Sequence, residues 1–546
     1  MQTNTMEVTA KHEGQRRWAA VCGLILALAG AAGRLVAVEF DETAGMTLFA
    51  FDQVAIPFSQ NLRLEMRSPT RHPANPVLQR GKPGAPDAFG VQFYGSVIRE
   101  GGRFRMWYVA FDDDTANKVA SARWRAAYAE SRDGLHWTKP NLGLVEYRGN
   151  KNNNLILTDS APLGFVNLKV LADPDDPNPE RRYKISTHVY FRHNTRLGSL
   201  APFASTDGLR WTLLTAAKPV KAELRKKDLV LPAVHFEPCG GLYKWNGMFY
   251  ACGQNGMNAT RPYHGRVVRM YRSPDFVNWS HTSSIGFVRT AQHTLLGSGR
   301  SLEGEQAHEG VSVWNRGNVL LGLYGRWHGA KEWKDITIDL GFVVSNDGIN
   351  FREPAHEWTF LKRGEDGAWD QGGLLQGQGF ENIGNETFIY YGAWDPRQHG
   401  KKPERGGVGI ATRPRDRFGD LVVEEAGKGP GAYQLPVIQS EFVTAAVPTK
   451  AGVAHRFYLN ADGLSAQANL KIELLDNHER PLPGFSGKAA AIVRQSGFHT
   501  PISWNRQEAI AGLPDRIRLK VTFEGEQKTK IRFSALYVQP AGAMQQ

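Results

Sequence analysis

The sequence predicts an all-β protein, a five-bladed β-propeller followed by a C-terminal β-sandwich, and three observations predict it. First, a turn motif recurs: SRDGLHW at Ser131–Trp137, STDGLRW at Ser205–Trp211, SPDFVNW at Ser273–Trp279 and SNDGINF at Ser345–Phe351, with a degenerate fifth copy, RPRDRFG, around Asp416. Its aspartates, Asp133, Asp207, Asp275, Asp347 and Asp416, repeat at intervals of roughly seventy residues. Second, turn signals run in phase with the motif at Gly101-Gly102, Asn246-Gly247, Arg316-Gly317-Asn318 and Gly384-Asn385, each followed by an apolar or aromatic strand such as RFRMWYVAF or TFIYYGAW. The second unit instead has a longer turn, Asp173–Glu180. Third, the period stops after Gly429-Pro430, and alternating strands follow: HRFYLNA, LKIELLD, RIRLKVTF and IRFSALYV.

Each unit reads as strand, tight turn, strand, loop, strand, Ser-x-Asp-Gly turn, strand. Four antiparallel strands repeated radially make a propeller blade, so five copies predict five blades. The Asp and Ser side chains can bond nearby backbone N–H groups, and the Gly can take a positive φ. The motif is therefore structural, with its Trp packing between blades. The boundaries expected are 1–37 for a targeting segment, 38–434 for the propeller and 435–546 for the sandwich.

Lys11, Arg16 and Arg17 precede the apolar run Ala19–Ala32, which has the length of a signal-peptide core and is too short to span a membrane. Cleavage after Ala31 or near Ala37 would release a secreted or periplasmic protein, and no later segment is apolar enough for stable membrane insertion. Cys22 would leave with that segment. Cys239 and Cys252, on either side of the Asn246-Gly247 turn, remain as buried thiols or as a disulfide. The formal net charge of +12 suits an acidic polysaccharide or an anionic cell surface, but the basic residues are scattered. No Lys/Arg run or nucleic-acid motif is present, so no nucleic-acid partner is expected.

The in-phase Ser-x-Asp-Gly-x-x-Trp turns resemble those of the five-bladed glycosidases of glycoside hydrolase families 32, 43, 68 and 130. The stretch HRFYLNADG…LKIELLDNHERPLPGFS is similar to the sandwich that follows the propeller in uncharacterised bacterial family-32-like members. This resemblance implies a glycoside hydrolase acting on oligo- or polysaccharides without a cofactor, and it allows a structural calcium ion in the central channel. The family-32 opening motif, Trp-x-Asn-Asp-Pro-x-Gly, is absent, HPANPVL at His72–Leu78 being the nearest stretch, so fructofuranosidase specificity is not implied.

Glycosidic cleavage needs two carboxyl groups, one protonated and one ionised. In a propeller these belong at the start of the innermost strands. Asp87 precedes FGVQFYGSVI; Asn167 and Lys169 share one face of GFVNLKVLAD; His235 and Glu237 lie in VHFEPCGG. Glu303, Glu305, His308 and Glu309 lie in SLEGEQAHEGVSVW, and Gln376, Gln378 and Glu381 in LLQGQGFEN. The expected catalytic groups are Glu237 and Glu309, facing each other across the channel mouth, with Asp87 beside them. Lys169, His235, His308, Gln378 and Glu381 are expected to bind substrate, with Glu303 and Glu305 on the rim. His235, His308 and His328 show no metal-ligand spacing. Trp107, Trp327 and Trp394 are expected in the core, unless one stacks on a sugar at the mouth. A carboxyl separation of roughly 6.5–9.5 Å would mean inversion and about 5–5.5 Å retention, and the expectation leans to inversion. Two alternatives stand: a phosphorylase, for which Lys169, Arg266 and Arg326 are loose candidates for a phosphate clamp, and a non-catalytic carbohydrate-binding propeller.

Overall fold

The computed structural model describes residues 45–114, 123–159, 164–191, 194–215, 230–231, 236–255, 266–289, 306–329, 335–398, 406–424, 439–450 and 452–542. The segment 1–37, the expected boundary at 434/435, His235, Glu303 and Glu305 lie outside them. Among the described residues no helix is long and apolar enough to cross a membrane.

The described chain opens with β1 (Met46–Phe49), β2 (Phe58–Gln60), β3 (Leu62–Met66) and β4 (Thr70–Arg71). Antiparallel meanders follow. The first is β5 (Gly90–Glu100), β6 (Arg103–Phe111), β7 (Trp124–Ser131) and β8 (Trp137–Thr138). The second joins β10 (Lys169–Ala172), β11 (Tyr183–Phe191), β12 (Asn194–Ser205) and β13 (Arg210–Leu213), with β9 (Leu157–Thr158) parallel to its outer edge. The third is β14 (Phe236–Trp245), β15 (Met248–Asn255), β16 (Val268–Ser273) and β17 (Ser284–Phe287). The fourth is β18 (Gln306–Asn315), β19 (Leu320–His328) and β20 (Thr337–Ser345), extended by a bridge from Val344 to Arg352. The fifth is β21 (Gly373–Ile383), β22 (Glu386–Trp394) and β23 (Gly406–Pro414), and its outer neighbour is the N-terminal β4.

Successive meanders bury apolar residues against one another. Trp107 and Val109 pack with Ile185 and Phe203, Leu200 with Leu242 and Tyr271, and Tyr243 and Val268 with Leu320 and Tyr324. Trp314 of the fourth stacks on Phe380 of the fifth at 5.4 Å. The fifth packs on the first through Tyr390 and Ile410 against Met106 and Tyr108. The Ser-x-Asp-Gly turns support these contacts. In the first, Asp133 Oδ1 accepts from the N–H groups of Leu135 (2.9 Å) and His136 (2.8 Å), while Ser131 Oγ accepts from Gly134 N at 2.9 Å. Asp207, Asp275 and Asp347 repeat the pattern. Trp107 Nε1 donates to Gly208 O at 2.7 Å, tying the first meander to the turn of the second. Trp107 is thus a core residue.

The remaining strands are β24 (Gly419–Val423), β25 (Ser440–Val443), β26 (Val447–Pro448), β27 (His455–Asp462), β28 (Asn469–Asp476), β29 (Ala491–Val493), β30 (Gly497–Ile502), β31 (Ala509–Ile510), β32 (Arg516–Glu524) and β33 (Arg532–Pro540). They form two sheets, one ordered β3-β24-β33-β27-β30 and the other β2-β25-β32-β28-β29, around a core that includes Phe457, Leu470, Trp504, Val521 and Phe533. The sheets draw on both sides of residue 434: β1 pairs with β33, β2 with β25, and β3 with β24, which pairs in turn with β33. The first strands of the expected 38–434 unit, and its β24, thus hydrogen-bond into the C-terminal sheets. Burying the N-terminal strands there leaves β4 placed to complete the fifth meander.

The degenerate fifth turn sits where these sheets meet the meanders. Asp416 is fully buried, pairs with Arg316 at 2.5 and 3.1 Å, and accepts from Tyr537 OH at 2.8 Å. Burial works against its charge, but Arg316 and Tyr537 hold its carboxyl below the usual aspartate range.

Candidate active site

Four of the five inner strands carry a register shift at the same level: Gln92/Ser96 in β5, Glu237/Gly241 in β14, His308/Val311 in β18 and Gln376/Phe380 in β21. Glycine permits the close approach this requires. A Cβ on Gly95 would lie 1.9 Å from Trp107 O, and one on Gly310 would lie 2.6 Å from Gly253 Cα. Bulges re-aim side chains, and these turn Tyr94, Glu237, Cys239, His308 and Glu309 toward one another.

Glu237 and Glu309 come into direct side-chain hydrogen-bond contact. Gln254, from β15 and nearly fully buried, clamps both. Its Nε2 donates to Glu237 Oε2 at 2.6 Å and to Glu309 Oε1 at 2.8 Å, while its Oε1 accepts from Glu309 N at 2.9 Å. Glu309 is 7% exposed and its Oε2 receives no N–H or O–H donor, whereas Glu237 is half-buried. Burial, and then the charge of Glu237, push the Glu309 carboxyl well above the usual glutamate range; Arg266 opposes the shift. Burial and the neighbouring anion thus favour the protonated form of Glu309.

The surrounding groups suit a buried, uncharged acid. His308 Nε2 lies 3.5 Å from Glu309 Oε1, and its Nδ1 shares a 3.1 Å hydrogen bond with Tyr94 OH. Burial and the charge of Arg266 keep this imidazole well below its usual range, hence neutral. Arg266 packs its guanidinium over Trp327 at 4.0 Å, and its backbone N–H bonds Gln306 Oε1 at 3.0 Å. The His308 ring lies 4.6 Å from Trp327 and stacks 6.4 Å from Trp394, which is partly exposed. Cys239 bonds Glu309, and its thiol is pushed up by burial and then by the two glutamates. Cys252 Sγ accepts from Val311 N at 3.3 Å, and burial pushes its thiol up to about 12. Both cysteines are buried free thiols, so the disulfide alternative does not hold: each sulfur has a separate partner.

Other candidates lie elsewhere. Asp87 is buried with Tyr108 OH at 2.9 Å, Gly81 N at 3.1 Å and Lys139 Nζ. Asp370 repeats this arrangement in the fifth meander, with Tyr391 OH at 3.1 Å and Arg71 Nε at 2.8 Å. In both, a glycine six residues earlier donates to the aspartate carbonyl, Gly81 at 3.3 Å and Gly364 at 3.1 Å. Asp87 therefore braces an entry loop. Gln378 bonds the backbone of Leu242 at 3.0 and 2.8 Å, bridging two inner strands. Glu381 accepts from Arg99 N at 2.9 Å near the hairpin turns, at the opposite end of β21. Arg326 donates to Thr359 Oγ1 at 3.2 Å, and His328 pairs with Asp339 at 3.2 Å.

Lys169 is fully buried and donates to Gln376 O at 2.7 Å and Gly95 O at 3.4 Å. Burial lowers its amine to about 7. It cannot reach solvent-borne substrate directly and instead stitches three inner strands. Among the described residues, no three His, Cys, Asp or Glu side chains converge as a metal site.

Gln254 and Tyr94 were not expected. Gln254 lies on a second strand and reaches the axis only because Gly253 lets β15 approach Glu237, with a Cβ there lying 1.9 Å from Glu237 O. Tyr94 lies inside a bulge that strict strand alternation does not reveal.

No family model matches the chain, and no curated protein matches it. Solved structures similar to it include one from work on the GH130 family of mannoside phosphorylases, which contains glycoside hydrolases that target β-1,2 mannosidic linkages in Candida mannan (14% identity, 65% of this chain and 95% of that one, TM-score 0.41). Another is a glycosyl hydrolase from Bacteroides ovatus (16% identity, 65% and 95%, TM-score 0.42). A third is an N-acetylgalactosamine deacetylase from F. plautii in complex with blood group B trisaccharide (14% identity, 66% and 97%, TM-score 0.41).

Proposed function

We propose that this chain is an exported glycosidase, that its meanders are the blades of a five-bladed propeller backed by a β-sandwich, and that Glu309 is its general acid. The observation that carries the proposal is the buried Glu237–Glu309 pair clamped by Gln254. A carboxyl group kept protonated by burial and a neighbouring anion is poised to give its proton to a leaving-group oxygen. A carbohydrate-binding module has no use for such a pair.

In this scheme the glycosidic C–O bond breaks as the Glu309 proton passes to the departing oxygen. The two adjacent carboxylates, now both anionic, face the positive charge that develops at the anomeric carbon, while Arg266 limits their mutual repulsion. The neutral His308 and the Tyr94 hydroxyl supply hydrogen bonds without adding charge. Trp394 offers a partly exposed ring on which a sugar can stack. The two carboxyl groups lie closer together than either a retaining or an inverting pair holds them, so the stereochemical outcome is left to product analysis. Arg266 beside the pair favours a second reading, phosphorolysis, in which inorganic phosphate attacks. The removal of segment 1–37 on export is part of the proposal, supported by its charge and apolar pattern.

The test is a screen of chromogenic glycosides and plant or algal polysaccharides, with and without phosphate. Cleavage without phosphate supports the glycosidase, cleavage that requires phosphate supports the phosphorylase, and carbohydrate binding without turnover overturns both.

A further inference from the structure

Glu309 has a left-handed backbone, φ 60°, and is followed by Gly310 at φ 83°. A non-glycine residue in that region is strained and persists only where its surroundings over-determine it. The bulge that contains it leaves two carbonyl groups, those of His308 and Gly310, turned toward the axis. One side chain meets both: Gln376 Nε2 donates to His308 O at 2.6 Å and to Gly310 O at 2.9 Å. Gln376 comes from the inner strand of the next meander, is fully buried, and accepts Lys169 Nζ on its own carbonyl at 2.7 Å. Its Oε1 is buried without a hydrogen-bond donor, so the amide is oriented by its two N–H bonds alone.

We propose that Gln376 is a positioning residue whose amide, by holding the carbonyl groups on both sides of Glu309, fixes the left-handed bulge that presents the Glu309 carboxyl to Glu237. This rests on the assignment of Glu309 as the acid. In an extended backbone the β18 side chains would alternate, and Glu309 would leave the side occupied by Glu237 and Gln254. Lys169 acts one step further out, anchoring the strand from which Gln376 reaches. Gln254 grips the carboxyl end of Glu309 and Gln376 the backbone end, so losing either frees a different part of the residue.

The test uses the full chain with Gln376→Met, which keeps the length and removes both donors. If that variant does not fold, Gln376→Leu removes both donors without adding a carboxyl group. The infrared band of a buried, protonated carboxyl group is recorded at neutral pH for the native protein, for Glu309→Gln as reference, and for the Gln376 variant. A native band missing from Glu309→Gln is expected; its absence in the native protein overturns Glu309 as the acid, and the positioning role with it. With that band present, its loss or displacement in the folded Gln376 variant is expected, together with a fall in turnover of about a hundredfold at little-changed KM. An unchanged band overturns the positioning role alone. So does a crystal structure of the variant in which Glu309 keeps its left-handed backbone and its contact with Glu237.

Discussion

Glu309→Gln should make the protein more stable at neutral pH, by an amount that grows with pH. The wild-type carboxyl is buried as the acid and its pKa is raised by burial and by Glu237. The unfolded chain releases this proton near the ordinary glutamate value, 4.5, while the folded chain still holds it. Above that pH the folded state binds more protons than the unfolded state, so wild-type stability falls as pH rises, until the folded pKa is passed. The slope for one proton is about 1.4 kcal/mol per pH unit. Glutamine mimics the protonated acid and does not titrate. As the pH rises from 5 to 7 the variant should therefore gain on the wild type, by at most about 1.4 kcal/mol per pH unit. Urea unfolding of both proteins at half-unit steps measures the difference, in which other titrations cancel. A difference that stays flat from pH 5 to 7 refutes the protonated state of Glu309.

Lys169→Met should flatten a rise in stability with pH. The unfolded lysine holds its proton up to about 10.5 and the folded one only to about 7, so native stability climbs across that window, and urea midpoints of the variant should not. Asp416→Asn should cost about 3–5 kcal/mol by taking the carboxylate away from the buried Arg316, read as a lower midpoint that mild salt does not restore. Asp87→Asn should cost about 1–3 kcal/mol, through its lost bonds to Lys139 and Tyr108, yet leave turnover within about twofold of native. A collapse of turnover in a folded Asp87→Asn would return that residue to the reaction.

The repeat was legible because its chemistry is local. Ser131, Asp133 and Gly134 close their own turn, so the pattern survives wherever the turn is made. The fifth copy reads poorly because Asp416 serves a contact with Arg316 and Tyr537, distant in sequence. Glu237 and Glu309 were legible as carboxylates entering inner strands of neighbouring meanders. Asp87 has the same sequence signature, and only its partners Lys139 and Tyr108 distinguish a brace from a reacting group. The pairing of β1, β2 and β3 with C-terminal strands could not be read at all, since strand patterning carries no information about partners hundreds of residues away. Nor could the closeness of the carboxyl pair, which depends on bulges of one or two residues.

The most direct test of the account is the turnover of Glu309→Gln and Glu237→Gln on whichever glycoside the wild type cleaves. Both substitutions keep the size of the side chain and a bond partner for Gln254, and both remove the shared acid–carboxylate chemistry. Each should lower turnover by at least about a hundredfold in a folded protein, as the loss of a general acid or its partner requires. Near-native turnover in both variants would contradict the account and place the reaction elsewhere on the molecule.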